Sequence, residues 1–130
     1  VIAVDTNVLI RFLTRDDPGQ ADTAEALFAQ QDILLLTSVL VETEWVLSGS
    51  YRWSRETINV ALAALVRLEG IKIAAAAGID WALARHAAGA DLADMLHLVA
   101  ATGTDAFATF DRRIAAAAGD APPTPVQTLT

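Results

Sequence analysis

Short apolar runs alternate with longer stretches of helical periodicity along the whole chain. That alternation constrains the fold more than any other feature. Residues 1–4, Val-Ile-Ala-Val, form the first run. Apolar and rich in β-branched residues, it reads as a strand buried on both faces of a parallel sheet. The run stops at Asp5. Thr6 and Asn7 then offer a cap, and Val8, Leu9, Phe12 and Leu13 recur at helical spacing. Asp5 therefore sits where a strand hands over to a helix, and in open α/β sheets ligands bind outside the carboxyl ends of the strands.

The same alternation continues. Arg15-Asp16-Asp17-Pro18-Gly19 reads as a turn, and residues 20–30 as a helix with Ala24, Leu27 and Phe28 on its apolar face. Residues 33–36 form a second apolar run, followed by a helix over 39–47 with Ser38 as its N-cap and Gly49 as its stop. Ser54 opens a longer helix whose stripe is Ile58, Leu62, Leu65, Val66 and Leu68, with Gly70 ending it. Residues 71–73 give a third strand, 78–88 an alanine-rich helix closed by Gly89, and 92–101 a helix capped by Asp91. A fourth strand over 106–110 leads into Asp111-Arg112-Arg113. A short helix at 115–118 and a proline-rich turn precede a last strand over 126–129. The pattern predicts an α/β fold, a mostly parallel central sheet of about five strands covered by helices on both faces.

The 130 residues fit one domain with a proper core. A hydrophobic fraction of 54% against 19% charged excludes a disordered chain. Without cysteine there are no disulfides or thiolate metal sites, so a metal would be held by oxygen ligands or by His86 and His97. No uncharged apolar segment approaches membrane-spanning length, and Asp5 and Arg11 interrupt the opening run, so a cytoplasmic soluble protein is expected. The net charge of −7 argues against a nucleic-acid partner taken alone, but less so if several acids hold divalent cations. Lys72 is the one lysine among nine basic residues, so positive contacts fall almost entirely to arginines.

Asp5 and Asp111 play the same part twice, each following an apolar strand and preceding a turn or helix. A strand-ending aspartate commonly serves as turn former or cap. Two at neighbouring ends of a parallel sheet, where strands lie about 4.8 Å apart, could share one cation. Asp94 lies in the helix that Asp91 caps, whose core stripe is Leu92, Met95, Leu96 and Val99; the Asp91–Asp94–Leu98 line falls off that stripe. Glu42 and Glu44 interrupt an otherwise mostly apolar helix, where a carboxylate is costly unless paired or metal-bound. They point to opposite sides, and periodicity does not choose between them. His97 and His86 read as partly buried structural histidines, and Trp45, Trp53, Trp81 and Met95 as packing residues. No Gly-x-Gly-x-x-Gly, P-loop or Gly-x-Ser-x-Gly occurs.

Four segments, taken together, resemble the acidic motifs of PIN-domain ribonucleases, most closely the VapC-type toxins of bacterial toxin–antitoxin pairs. They are Val-Asp-Thr-Asn-Val-Leu-Ile, Glu-Thr-Glu-Trp-Val-Leu, Asp-Leu-Ala-Asp-Met-Leu-His-Leu and Thr-Phe-Asp-Arg-Arg, in the family's order. The resemblance implies one PIN domain over 1–130, a three-layer α/β/α sandwich. It matches Asp5, Glu42, Asp94 and Asp111 to the family's catalytic, metal-holding acids and so selects Glu42 over Glu44. Asn7, Thr109 and Asp91 match supporting polar positions. It further implies Mg²⁺- or Mn²⁺-dependent endonucleolytic cleavage of RNA, a VapB-like antitoxin and a homodimer. Arg112 and Arg113, next to the last acid, are placed to engage RNA phosphates. The alternatives are a catalytically silent PIN-fold binding module and a phosphatase-type metal-dependent hydrolase. The second wants an acid where the chain has Asn7 and a lysine that Lys72 does not supply.

Overall fold

A computed structural model describes all residues, 1–130. The chain forms two compact units, Val1–Ala74 and Ala75–Thr130, and the α/β reading holds in each.

The first unit runs β1 (Ile2–Ala3), α1 (Thr6–Thr14), α2 (Pro18–Gln30), β2 (Ile33–Leu34), α3 (Thr37–Gly49), α4 (Arg55–Val66) and β3 (Ile71–Lys72). Its three strands pair in parallel in the order β1-β2-β3, with Ile2 opposite Ile33 and Ile33 opposite Ile71. Parallel pairing requires crossovers, and helices supply them. Leu9, Ile10, Ile33, Leu35, Leu40, Leu47, Ile58, Leu62 and Leu65 are almost fully buried. Leu9, Ile58, Leu62 and Leu65 lie on the stripes expected of their helices, whereas Ile10 is buried beside the stripe expected of α1, where Val8, Phe12 and Leu13 are only half-buried. The strand β1 is a correction: Ile2 and Ala3 are both exposed, and the burial expected of the run falls on Val4 and Thr6.

Local chemistry sets most boundaries. Asp17 caps α2 by accepting from the Gln20 N–H at 3.1 Å, and Pro18, which has no N–H to satisfy, occupies the first helical position. The turn before it is held by Arg11, which donates to Asp16 at 2.9 Å and to Gln20 at 2.7 Å, while the Tyr51 hydroxyl donates to Asp16 at 2.5 Å. Phe12 and Phe28 stack at 4.4 Å and close the α1–α2 pair. Ser54 caps α4 by accepting from the Thr57 N–H at 3.2 Å. Ser54→Ala is expected to cost about 1 kcal/mol, read as a lower urea midpoint at an unchanged slope. The helix after β2 begins one turn-half earlier than expected, at Thr37, with Leu36 and not Ser38 in the cap position and no side-chain cap. Likewise α4 ends at Val66, so Leu68 leaves the helical stripe and is exposed.

The second unit runs α5 (Ala76–Ala87), α6 (Leu92–Ala100), β4 (Phe107–Thr109), α7 (Arg113–Ala118) and β5 (Val126–Thr128). Here β4 and β5 pair in parallel, with Phe107 opposite Val126. The five strands predicted are therefore present and parallel, but their hydrogen-bonded ladders are divided three and two. The strands are only two or three residues long, which limits each ladder to a few bonds. In α6, Leu92, Ala93, Met95, Leu96, Leu98 and Val99 are all buried. Leu98 is a correction, since its line on the helix does not face solvent; its carbonyl accepts from the buried Thr124 hydroxyl at 2.7 Å. Only Asp94, His97 and Ala100, three residues apart, reach the surface of α6 to any extent. The helices α5 and α6 pack closely because Gly78 meets Val99: a Cβ at 78 would lie 2.5 Å from a Val99 methyl.

Candidate active site

In the first unit the parallel register puts the carboxyl ends of β1 and β2 on one edge, and α1 and α3 start from it and pack on each other. Asp5 occupies the N-cap position of α1 in extended conformation, yet its side chain makes no capping bond. The ordinary structural role of a strand-ending aspartate is therefore unfilled. Asp5 is exposed, and so is Glu42 in the second turn of α3. Glu44 is half-buried and has an interaction of its own. The two glutamates are thus separated by environment: one is engaged within the packing, the other presented to solvent. Asn7 is exposed at the start of α1 and borders an apolar groove of about 250 Å³ between α1 and α2. One turn beyond Glu42, Trp45 is 57% exposed, contrary to the packing role expected of it.

The second unit gathers Asp91, Asp94 and Asp111. Asp91 is the N-cap of α6 and accepts from the Asp94 N–H at 3.0 Å. Asp94 follows half-buried among the apolar residues of that helix. Burial pushes its carboxyl above the ordinary carboxylate value, and the charges of Asp91 and Asp111 push it the same way, against a smaller opposing pull from His97 and Arg113. His97 is exposed, contrary to expectation, and its ring stacks on Phe107 of β4 at 6.2 Å, linking α6 to the strand that ends before Asp111. His86 is buried as expected.

The turn after β4 is built around Asp111. Its N–H donates to Thr109 Oγ1 at 3.0 Å, which gives Thr109 a positioning part. Its carboxylate accepts from the Arg113 N–H at 2.9 Å and from the Arg113 guanidinium through both oxygens at 3.1 Å. Those bonds hold the Asp111 carboxyl below the ordinary range. Arg113 thus sits on the acid while staying exposed itself, and Arg112 is exposed without a carboxylate partner. This clamp was missed by the sequence reading, and the Asp-x-Arg spacing at a helix start was its one signal.

The donor chemistry fits a hard divalent cation. Asp5, Glu42, Asp94 and Asp111 offer only carboxylate oxygens, and burial first, then the charges of Asp91 and Asp111, disfavour the charged form of Asp94, which a cation would favour. Within neither unit do three such groups stand close enough to hold an ion by themselves.

The PIN domain profile matches residues 2–120, nearly the whole chain, and the protein belongs to that family. PIN domains are generally divalent-metal-dependent nucleases. No curated protein and no solved structure matches the chain. No helix is long and apolar enough to cross a membrane.

Proposed function

We propose that the chain is a Mg²⁺- or Mn²⁺-dependent endoribonuclease of the VapC toxin type, with Asp5, Glu42, Asp94 and Asp111 as its catalytic acids. The observation that carries this reading is Asp94: a half-buried carboxyl, raised in pKa, kept beside Asp91 and Asp111 with no structural partner that needs it. A packing role would be better served by a neutral side chain.

By the family resemblance, Asp5, Asp94 and Asp111 are the residues that would hold the cation, directly or through water. A metal there would supply a water of lowered pKa and stabilise charge on the phosphate. Glu42 orients the attacking water and accepts its proton. The water oxygen bonds to phosphorus, the bond to the 3′ oxygen breaks, and that oxygen takes up a proton, leaving 5′-phosphate and 3′-hydroxyl ends. Asp91 supports the Asp94 backbone, Thr109 fixes the Asp111 turn, and Asn7 positions a carboxylate or water. Arg112 and Arg113 engage RNA phosphates. A VapB-like antitoxin restrains the enzyme, which pairs as a homodimer; these two statements rest on the family resemblance.

The test compares wild type with Asp5→Asn on a structured RNA in Mg²⁺, in Mn²⁺ and in EDTA. Cleavage is expected with either metal and not with EDTA. Asp5→Asn should remain folded by circular dichroism while its rate falls roughly a thousandfold, the several kcal/mol a metal ligand supplies. A metal-loaded wild type, free of any antitoxin, that cuts no RNA would move the protein to the binding-module reading.

A further inference from the structure

The Asp111 carboxylate is crowded by a single residue. A carboxylate offers about four acceptor sites on its two oxygens. Arg113 takes three of them: its N–H and its Nε both donate to Oδ1, at 2.9 and 3.1 Å, and Nη2 donates to Oδ2 at 3.1 Å. Oδ1 is thereby filled, and Oδ2 keeps one site. Of the three donors only the N–H is fixed by the backbone, at the first position of α7. The other two belong to a side chain that is 90% exposed, and Asp111 is the one carboxylate it bonds. An exposed ion pair of this kind is weak, because water screens both charges. It can be exchanged.

The other acids of the second unit act on the same guanidinium. The charges of Asp94 and Asp91 favour it as Asp111 does, though less strongly. Arg113 in turn is one of the two groups, with His97, whose charge favours the ionised form of Asp94. One positive side chain therefore already serves three carboxylates. A divalent cation seeks the oxygen lone pairs that the guanidinium uses, and the two positive charges repel each other. Arg112, one residue earlier, is exposed and bonds no carboxylate.

We propose that Arg113 is a resident counter-cation of these acids, an affinity-determining residue whose guanidinium gives up Asp111 when a divalent cation binds. The inference rests on the metal-dependent ribonuclease reading and adds what sets the metal affinity of that site. It also frees the guanidinium for the RNA phosphate that the same reading assigns to it.

The experiment reads metal binding and not cleavage. Mn²⁺ is titrated into wild type, Arg113→Gln and Arg112→Gln at one ionic strength, with free Mn²⁺ followed by electron paramagnetic resonance. Arg113→Gln is expected to bind Mn²⁺ roughly two- to tenfold more tightly, the range of an exposed ion pair and the charge removed with it. Arg112→Gln makes the same change in net charge without touching Asp111, and should stay close to wild type. If circular dichroism shows that Arg113→Gln has lost its fold, Arg113→Lys carries the same test. Lysine keeps the charge but cannot fork onto both oxygens, so it too should bind Mn²⁺ more tightly than wild type. Unchanged Mn²⁺ affinity in the folded Arg113 variant overturns the inference. Weaker binding overturns it as well, and makes Arg113 a residue that orients Asp111 for the metal. Either result, with Mn²⁺ bound by wild type, leaves the ribonuclease reading standing. Equal tightening in both glutamine variants assigns the effect to net charge and overturns the inference too. A wild type that binds no Mn²⁺ sinks both.

Discussion

Asp94→Asn is expected to be more stable than wild type at neutral pH and almost inactive. The two effects have one cause. Burial first, and then the charges of Asp91 and Asp111, raise the Asp94 carboxyl above the ordinary carboxylate value. Between that ordinary value and the raised one, the folded protein keeps a proton that the unfolded chain has released. Stability contributed by this group therefore falls as pH rises through that window, and the full penalty is present above it. The neutral amide removes the penalty at similar size. A gain of roughly 1–3 °C in Tm at pH 7 is expected, shrinking as the pH is lowered below the ordinary carboxylate range, where Asp94 is protonated in both states. Cleavage should fall roughly a thousandfold, because the amide is a poor ligand for a hard cation and carries no charge to neutralise it. Thermal scans at pH 3.5 and 7, with cleavage rates at pH 7, check both parts. A variant that is less stable at pH 7 would show that Asp94 holds the fold together, and the functional reading of this acid would go with it.

The second large effect lies away from the acids. Gly78→Ala places a Cβ 2.5 Å from Val99 Cγ1, and a second Val99 methyl is 3.3 Å away. Helix propensity alone favours alanine by about 1 kcal/mol. The clash is larger, because Val99 is branched at Cβ, almost buried, and has no alternative rotamer to retreat into within a helix. A net loss of about 1–3 kcal/mol is expected from overpacking. Val99→Ala should reverse most of it, so a double-mutant cycle read by urea denaturation should give a coupling of about 1 kcal/mol or more. Additive losses would mean that α5 and α6 separate to admit the methyl group.

How much of this was legible in the sequence follows from how local each signal is. The caps at Ser54 and Asp91 were readable, because a cap is a contact between residues about three apart, whereas Asp17, which caps α2, was read only as part of a turn. The helix stripes held where the period was long enough to fix a face, as with Ile58, Leu62 and Leu65. Leu98 failed for the opposite reason: a second surface packs against α6, through Thr124, from 26 residues away, and period alone assumes one buried side. Trp45 and His97 were expected inside on residue type. Both are exposed, and His97 finds a partner in a ring ten residues on. The strands were found by composition but drawn too long, because side-chain character extends past the point where ladder bonds stop. For the site, the two strand-ending aspartates and the off-stripe Asp94 stood out as residues. The resemblance chose Glu42 over Glu44, a choice periodicity left open. That Arg113 reaches back to Asp111 depends on the turn's dihedrals, which no pattern of residue types specifies.

The near-complete enclosure of α6 bears on how its variation across related chains, or in a saturation mutagenesis screen, should be interpreted. Six of its nine residues are buried, so most substitutions there will be rejected whatever the helix does chemically. Intolerance along Leu92–Ala100 is then a record of packing, and Asp94 would be lost among its neighbours in any ranking by invariance alone. What singles it out is a discordance between two screens: a selection for folding should accept asparagine at 94, and a selection for cleavage should not.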